Sequence, residues 1–297
     1  MKRNSIFIGL PALTVCLILM AGCTAEETDE QGIVENGREI RMTASMQQMT
    51  RTASDLQDTH LSQNVTLGVY GVSDGSTISN GDNAAYTTDG NGNLTASGSA
   101  MNWPASGSVS IYAYAPRQSA WSYGAEKTFT VATDQSSDEG YLKSDLLYAS
   151  RAAASQTSAV NLGFSHKLAR LALTVTADAS TTLTDATVKI VGTKPSTVLT
   201  LADGTISEAT GTAQDITIGS GITITAGQSQ TLYAVVVPQT IAANATLIEV
   251  TAGSKMWKYH FTDAKTLAGG KSHSLTVSVS ISKVTSTISG EASEPAN

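Results

Sequence analysis

The side chains that could carry out acid–base or nucleophilic catalysis are few in this sequence. Its four histidines are His60, His166, His260 and His273. A catalytic serine needs a histidine base and an acid that orients it, but none of the four stands in a recognisable motif, and Gly-x-Ser-x-Gly does not occur. His166 and His260 flank alternating strand segments, which favours a structural role. The sequence therefore offers no catalytic residue and predicts that the protein is not an enzyme.

Two glycine-rich stretches match ligand-binding loops only in part. Residues 269–272 end like a phosphate-binding loop, but Lys265 occupies the position of the required earlier glycine. Residues 89–93 begin like a calcium loop, yet the sixth and twelfth positions are Leu94 and Ala100 instead of glycine and glutamate. We therefore predict no cofactor and no metal, with an irregular calcium site as the minor alternative.

The position of Cys23 predicts a covalent modification. Basic residues at positions 2 and 3 precede an apolar run over residues 6–20, which is typical of a secretory signal and short for a membrane span of ~20 apolar residues. Two small residues precede Cys23, an arrangement that resembles the lipobox of lipoproteins, whose cysteine thiol carries lipid such as palmitate. We interpret residues 1–22 as a lipoprotein signal peptide; the alternative is an ordinary signal peptide with a chance cysteine.

The mature chain keeps a single cysteine, because Cys16 leaves with the signal. It can form neither an internal disulfide nor a cysteine-ligated metal site. Residues 23–37 are polar and read as a flexible tether. Four acidic residues in that tether resemble the export signal that brings lipoproteins of Bacteroidetes-type bacteria to the outer leaflet of the outer membrane; the alternative is a plain solvated tether. We predict an outer-membrane lipoprotein on the cell surface.

Composition limits the partners and the fold class. The formal net charge is −7 and charged residues make up only 14% of the chain. Without a basic patch interleaved with aromatic residues, nucleic acid is excluded as an expected partner. Serine, threonine, alanine, valine and glycine are abundant, which suits a surface-exposed β protein.

Alternating apolar residues predict many short strands separated by turn signals, and no further helix. A Gly/Asn/Ser/Thr-rich stretch, residues 73–100, is predicted as loop. The chain is long enough for about two domains, so we expect an all-β protein with an N-terminal β-sandwich over 38–178 and a C-terminal β-sandwich over 179–297. The predicted strands are residues 39–45, 65–69, 109–114, 128–131, 168–175, 186–191, 197–201, 216–224, 230–237, 247–251, 256–261 and 272–281.

Six segments in order along the mature chain combine into a pattern: residues 101–104, 109–116, 145–149, 162–171, 233–239 and 267–273. They include a Trp-Pro pair before a Tyr/Ala-rich strand that ends in proline, and later a strand that ends in Val-Pro-Gln. Together these segments resemble the fimbrillin family, the Bacteroidetes-type (type V) pilins. The tryptophan-containing tail of many relatives is missing here, which leaves the role of the extreme C-terminus open.

The resemblance implies two tandem transthyretin-like β-sandwiches and a strand-exchange mechanism. An Arg-specific surface protease would remove the tether and the first strand, here residues 39–45 with Ile40, Met42 and Ala44 facing inward. We predict cleavage between Arg51 and Thr52. Arg38 and Arg41 are the rival sites, although cutting at Arg38 would leave the strand in place.

The resemblance also implies a donor strand that fills the emptied groove of a neighbouring subunit. We expect it within residues 272–289, with the alternative that 272–281 is a permanent strand and only 283–289 swings out. The apolar residues predicted to fill the groove are Leu275, Val277, Val279, Ile281, Val284 and Ile288.

The implied function is a structural pilin of a cell-surface fimbrium that supports cell adhesion. Its expected partners are other pilin subunits, the outer membrane through the lipid on Cys23, the protease, and a host or bacterial adhesion target. The alternative is a surface lipoprotein that never polymerises and binds glycan or host protein.

Mass spectrometry of the mature N-terminus on cells separates these two functions. A processed pilin is expected to begin at Thr52. A lipidated Cys23 that persists on the mature protein would instead indicate a fixed anchor or a binding lipoprotein.

Overall fold

The computed structural model describes residues 38–46, 61–124, 126–154, 159–280 and 289–293. These residues form β-strands almost throughout, with one short helix, which confirms the predicted all-β class. The strands of the first half are β1 (Met42–Met46), β2 (Thr66–Ser73), β3 (Ser76–Thr77), β4 (Ala84–Thr88), β5 (Leu94–Ala96), β6 (Val109–Ala115), β7 (Lys127–Thr130), β8 (Leu147–Ala154) and β9 (Val160–His166), and the helix is α1 (Asp138–Ser144).

The described residues of the second half form strands and no helix. The strands are β10 (Ala169–Ala177), β11 (Leu183–Thr193), β12 (Ser196–Leu199), β13 (Gln214–Ile224), β14 (Ser229–Val236), β15 (Gln239–Ile241), β16 (Thr246–Ala252), β17 (Lys255–His260), β18 (Lys265–Leu267), β19 (Ser272–Val279) and β20 (Ser289–Ser293).

One eight-stranded sheet makes up most of the first half. Its strands run in the order β1-β9-β8-β6-β2-β4-β5, with β3 paired to β2. Most neighbours are antiparallel, whereas β1 and β9 are parallel, with Met42 opposite Val160 and Met46 opposite Phe164. Alternate residues along these strands point into a shared core, the period expected of half-buried strands.

Two four-stranded sheets form the second half and share one hydrophobic core. Their orders are β14-β10-β19-β20 and β13-β11-β16-β17. In β19 every second residue is buried, with Leu275, Val277 and Val279 at most 1% exposed. This strict alternation is what a sheet needs when one face packs on a second sheet and the other meets solvent.

Several elements of the first half bond directly to the second half. Strand β7 pairs with β12, and the buried Gln135 side chain exchanges two hydrogen bonds of 2.8 and 2.9 Å with the backbone of Val235. The Tyr148 hydroxyl donates to the Leu201 carbonyl at 2.6 Å. The described residues accordingly belong to one compact unit.

Two expectations from the sequence differ from the structure, and a third stays a prediction. The loop predicted over residues 73–100 is wrong in part, because β3, β4 and β5 lie within it. The expectation of no further helix is also wrong: Ser137 caps α1 by accepting from the Gly140 N–H. The division between residues 178 and 179 stays a prediction, although the partners of β10, namely β14 and β19, lie in the second half.

No helix among the described residues is long and apolar enough to span a membrane.

Candidate functional site

The N-terminal segment of the described chain, residues 38–46, is hydrogen-bonded along both of its edges. On one side it runs parallel to β9, where the Val160 N–H donates to the Arg41 carbonyl at 2.8 Å. On the other side it runs antiparallel to residues 101–103: the Ile40 N–H donates to Met101 O, and the Trp103 N–H donates to Arg38 O, each at 2.8 Å. The segment therefore lies in a slot with two walls.

The second wall continues at the glycine-rich loop over residues 89–93. The Ala44 N–H donates to the Gly92 carbonyl at 2.8 Å, and Thr43 bridges Asn93. Gly92 has a φ of +96°, and a Cβ there would lie 2.9 Å from the Ala44 carbonyl oxygen, so this close approach requires glycine. We call β9 together with residues 92–93 and 101–103 the seat of β1.

Asp89 organises that loop through hydrogen bonds to its carboxylate. Its carboxylate accepts hydrogen bonds from the Asn91 N–H at 2.7 Å, the Asn93 N–H at 3.0 Å and the Asn93 side-chain amide at 2.6 Å. The bond from the Asn93 side chain is the main reason that the pKa of Asp89 lies below its ordinary value. The described residues contain no group of three His, Cys, Asp or Glu side chains that could hold a metal ion.

The side chains of residues 38–46 that face inward fill part of the first core. Ile40, Met42 and Met46 are 0%, 4% and 8% exposed, and they belong to one cluster with Trp103 and Phe164. Ala44 is only partly buried. Burial of each large apolar side chain stabilises by about 1.5–3 kcal/mol, so the three together contribute roughly 5–9 kcal/mol. Alternation predicted the inward face correctly but omitted Met46, one residue beyond the expected strand.

The three arginines considered as cleavage sites differ in their surroundings. Arg38 and Arg41 belong to the segment that is hydrogen-bonded in the seat, and a protease needs a locally released chain. Arg51 and Thr52 lie outside the described residues, as does Cys23.

The residues predicted to form the donor strand fall into two groups. Leu275, Val277 and Val279 lie in β19, where they pair with β10 and fill the second core. Ile281, Val284 and Ile288 lie outside the described residues. The placement of the first group favours the alternative that 272–281 begins as a permanent strand.

The chain is fixed at the end of β19 by hydrogen bonds to the carbonyl groups of residues 278–280. The Tyr259 hydroxyl donates to the Ser278 carbonyl at 2.9 Å, and the Asp178 N–H donates to the carbonyl of residue 279 at 3.0 Å. The Trp257 indole N–H donates to the Ser280 carbonyl at 3.0 Å. Ser280 also donates to the Asp178 carboxylate, which lowers the pKa of that carboxyl. These hydrogen bonds hold the chain in place up to residue 280.

The tryptophans bear on the alternative of a glycan-binding lipoprotein. Trp103 is buried under the seat, whereas Trp121 stacks on Tyr114 with ring centroids 4.6 Å apart. Trp257 is 3% exposed and donates to the end of β19. Each tryptophan packs with different partners, so the three do not converge on one flat platform.

The histidines with described side chains that are buried have partners in the fold. His166 Nδ1 lies 2.7 Å from an Asp145 carboxylate oxygen. His273 Nε2 accepts a hydrogen bond from the Ala268 N–H at 3.0 Å, and burial holds the pKa of His273 below its ordinary value. These contacts agree with structural roles.

The sequence matches the model of the fimbrillin-like family over residues 50–290. This chain belongs to the fimbrillin-like family, as the segment resemblances predicted. No curated protein sequence matches it significantly.

Solved structures share its fold at low sequence identity. A proposed cell adhesion protein from Bacteroides ovatus has a TM-score of 0.68 at 16% identity, over 88% of this chain and 99% of that one. A proposed cell adhesion protein from Bacteroides uniformis has a TM-score of 0.63 at 21% identity, over 86% and 98%. A fimbrial protein from Bacteroides vulgatus has a TM-score of 0.50 at 15% identity, over 86% and 99%.

The substitution Met42→Ala in the uncleaved chain tests how much β1 contributes to the first core. Because Met42 is 4% exposed, the substitution should lower the free energy of unfolding by about 2–5 kcal/mol. The matched control is Met256→Ala, which removes a side chain that is 50% exposed and should change stability by less than about 0.5 kcal/mol. Denaturant titration of both variants is the measurement; equal effects would show that β1 is not part of the folded core.

Proposed function

We propose that this protein is a structural pilin subunit of a cell-surface fimbrium. It is exported as a lipoprotein on Cys23, cleaved after Arg51, and polymerised by exchange of its first strand for a strand of the next subunit. The observation that carries the proposal is the position of β1: it lies in a slot with two walls, and its inward side chains belong to the first core.

Strand β1 is the natural strand to exchange because it is the first strand of the described chain. Nineteen residues, 47–65, separate it from the next strand in sequence, so a single cut in that stretch frees β1 without interrupting another strand. Loss of β1 would uncover two rows of unpaired backbone groups and the apolar side chains beneath. Such an open edge is a template for strand addition by another chain.

The incoming strand must match the side-chain sizes that β1 presents to the seat. At alternate positions β1 offers Met42, Ala44 and Met46, a large, a small and a large residue. The C-terminal segment offers the same order in Val284, Ser286 and Ile288. We call residues 281–297 the arm and propose that its residues 281–288 are the donor strand, while β19 remains in the second core.

Cleavage sets the timing of this exchange. Before the cut, β1 is covalently attached, so its high effective concentration at its own seat keeps other strands out. After the cut, β1 can dissociate and is diluted, whereas a neighbouring arm remains tethered to a growing polymer. The lipid on Cys23 leaves with the cut segment, so the anchor serves transport to the outer membrane.

The variant Arg51→Ala tests the processing step. With the Arg-specific protease present, it should keep its N-terminal segment and remain monomeric, because no other arginine both follows β1 and precedes β2. The control Arg151→Ala removes an exposed arginine of β8 and should be processed normally. Intact mass and size-exclusion chromatography provide the readouts. An Arg51→Ala chain that loses residues 23–51 and polymerises would contradict the assignment.

A further inference from the structure

A cavity of about 810 Å³ lies at the end of β9, in the part of the chain that the structure describes. Its walls include His166 and Lys167, two and three residues after Phe164, and Lys194, Glu208 and Gln239 from the second half. Cavities of this size are large enough to hold a drug-sized ligand or a few residues of a peptide.

We propose that this cavity receives the acidic end of a neighbouring subunit's arm, residues 289–294, with Lys167 and Lys194 binding the carboxylates of Glu291 and Glu294. The inference rests on the proposed function, since it assumes that residues 281–288 of that arm replace β1. It adds a second recognition site beyond the seat.

Continuity with the seat is the first argument. Strand β1 runs parallel to β9 with Met46 opposite Phe164, so a chain that follows the path of β1 past Met46 moves toward His166 and Lys167. At about 3.3 Å per residue, Lys167 is only about 10 Å further along. A donor strand that takes the direction of β1 is therefore aimed at the cavity.

The register of the arm is the second argument. If Val284 and Ile288 replace Met42 and Met46, then Glu291 comes three residues after the end of the seat. Lys167 likewise comes three residues after Phe164, the partner of Met46. This match places Glu291 beside Lys167. Glu294 is three residues further along the arm and would therefore reach deeper into the cavity.

Charge is the third argument. The chain carries a net charge of −7, yet two lysines and one glutamate line this cavity. Among the described residues, neither Lys167 nor Lys194 has a carboxylate within 4.0 Å. The Lys167 ammonium lies 5.6 Å from the centroid of the Tyr148 ring. Burial lowers the pKa of Lys167, and the more distant Asp203 carboxylate offsets this only in part. A carboxylate that entered the cavity would offset the free-energy cost of burying the Lys167 charge.

In the isolated subunit the end of the arm is stored elsewhere. Strand β20 pairs antiparallel with β19, and Glu291 lies opposite Ser274. The strand has the sequence Ser-Gly-Glu-Ala-Ser, whose residue types have low β propensity. This pairing is expected to be weak enough to break when a seat with a cavity becomes available.

Binding of labelled peptides to the cleaved protein tests the proposal. The full mature chain is cut with an Arg-specific protease, and the dissociation constants of two fluorescent peptides, residues 281–288 and 281–297, are measured by anisotropy. We expect the longer peptide to bind roughly 10-fold tighter at low ionic strength, with the advantage shrinking at high salt. The longer peptide with Glu291→Gln and Glu294→Gln should bind like the shorter one.

Substitutions of the lysines that line the cavity test the same contact from the side of the receiving subunit. Lys194→Glu should remove most of the advantage of the longer peptide, and Lys167→Gln should reduce it while leaving the shorter peptide unaffected. The longer peptide with Glu291→Lys and Glu294→Lys should regain affinity for Lys194→Glu. The matched control is Lys255→Glu, an exposed charge reversal on β17, which should change neither peptide. Thermal unfolding before cleavage checks that each variant is folded.

Two outcomes would overturn the inference in different ways. If both peptides bind with equal affinity, or if the cavity variants leave the tighter binding of the longer peptide unchanged, the cavity does not receive the arm. The proposed strand exchange would be unaffected by that result. If neither peptide binds the cleaved chain, the proposed function fails, and this inference fails with it.

Discussion

The fold of the first half depends on the closure of one sheet by β1. That sheet would otherwise end at β9 on one side and near Asn93 on the other, leaving two open edges. Strand β1 bonds to both and completes the core with Ile40 and Met42. Unpaired edges over an apolar core are prone to pair with other chains, and β1 covers both of these edges.

The two sheets of the second half do not include β1, so its removal would leave them intact. They face one another over a shared core, and the exposed carbonyl groups at the end of β19 accept hydrogen bonds from Tyr259 and Trp257. Under the proposed function, exchange would therefore be confined to one strand of the first half, while β19 stays in the second core.

The sequence predicted β10 and β19 because their period-2 patterning is a local property. It missed β4 and β5, which have few apolar residues and lie in a Gly/Asn/Ser/Thr-rich stretch. It also missed β8 and β9 as strands, although parts of both lie in segments that resemble the family. The inward face of β1 was predictable for the same local reason. Its seat was not, since Met101, Trp103 and Gly92 reach β1 only through long-range contacts that no sequence period reveals.

The most direct test is a disulfide between the seat of one subunit and the arm of the next. In the isolated chain Asn161 is the partner of Thr43, and in the polymer Thr285 should take the place of Thr43, close enough to bridge. The account predicts that Asn161→Cys with Thr285→Cys yields covalent multimers on a non-reducing gel, only after cleavage at Arg51. Polymers that assemble yet show no cross-link from Asn161→Cys to a cysteine at any position from 283 to 287 would contradict it.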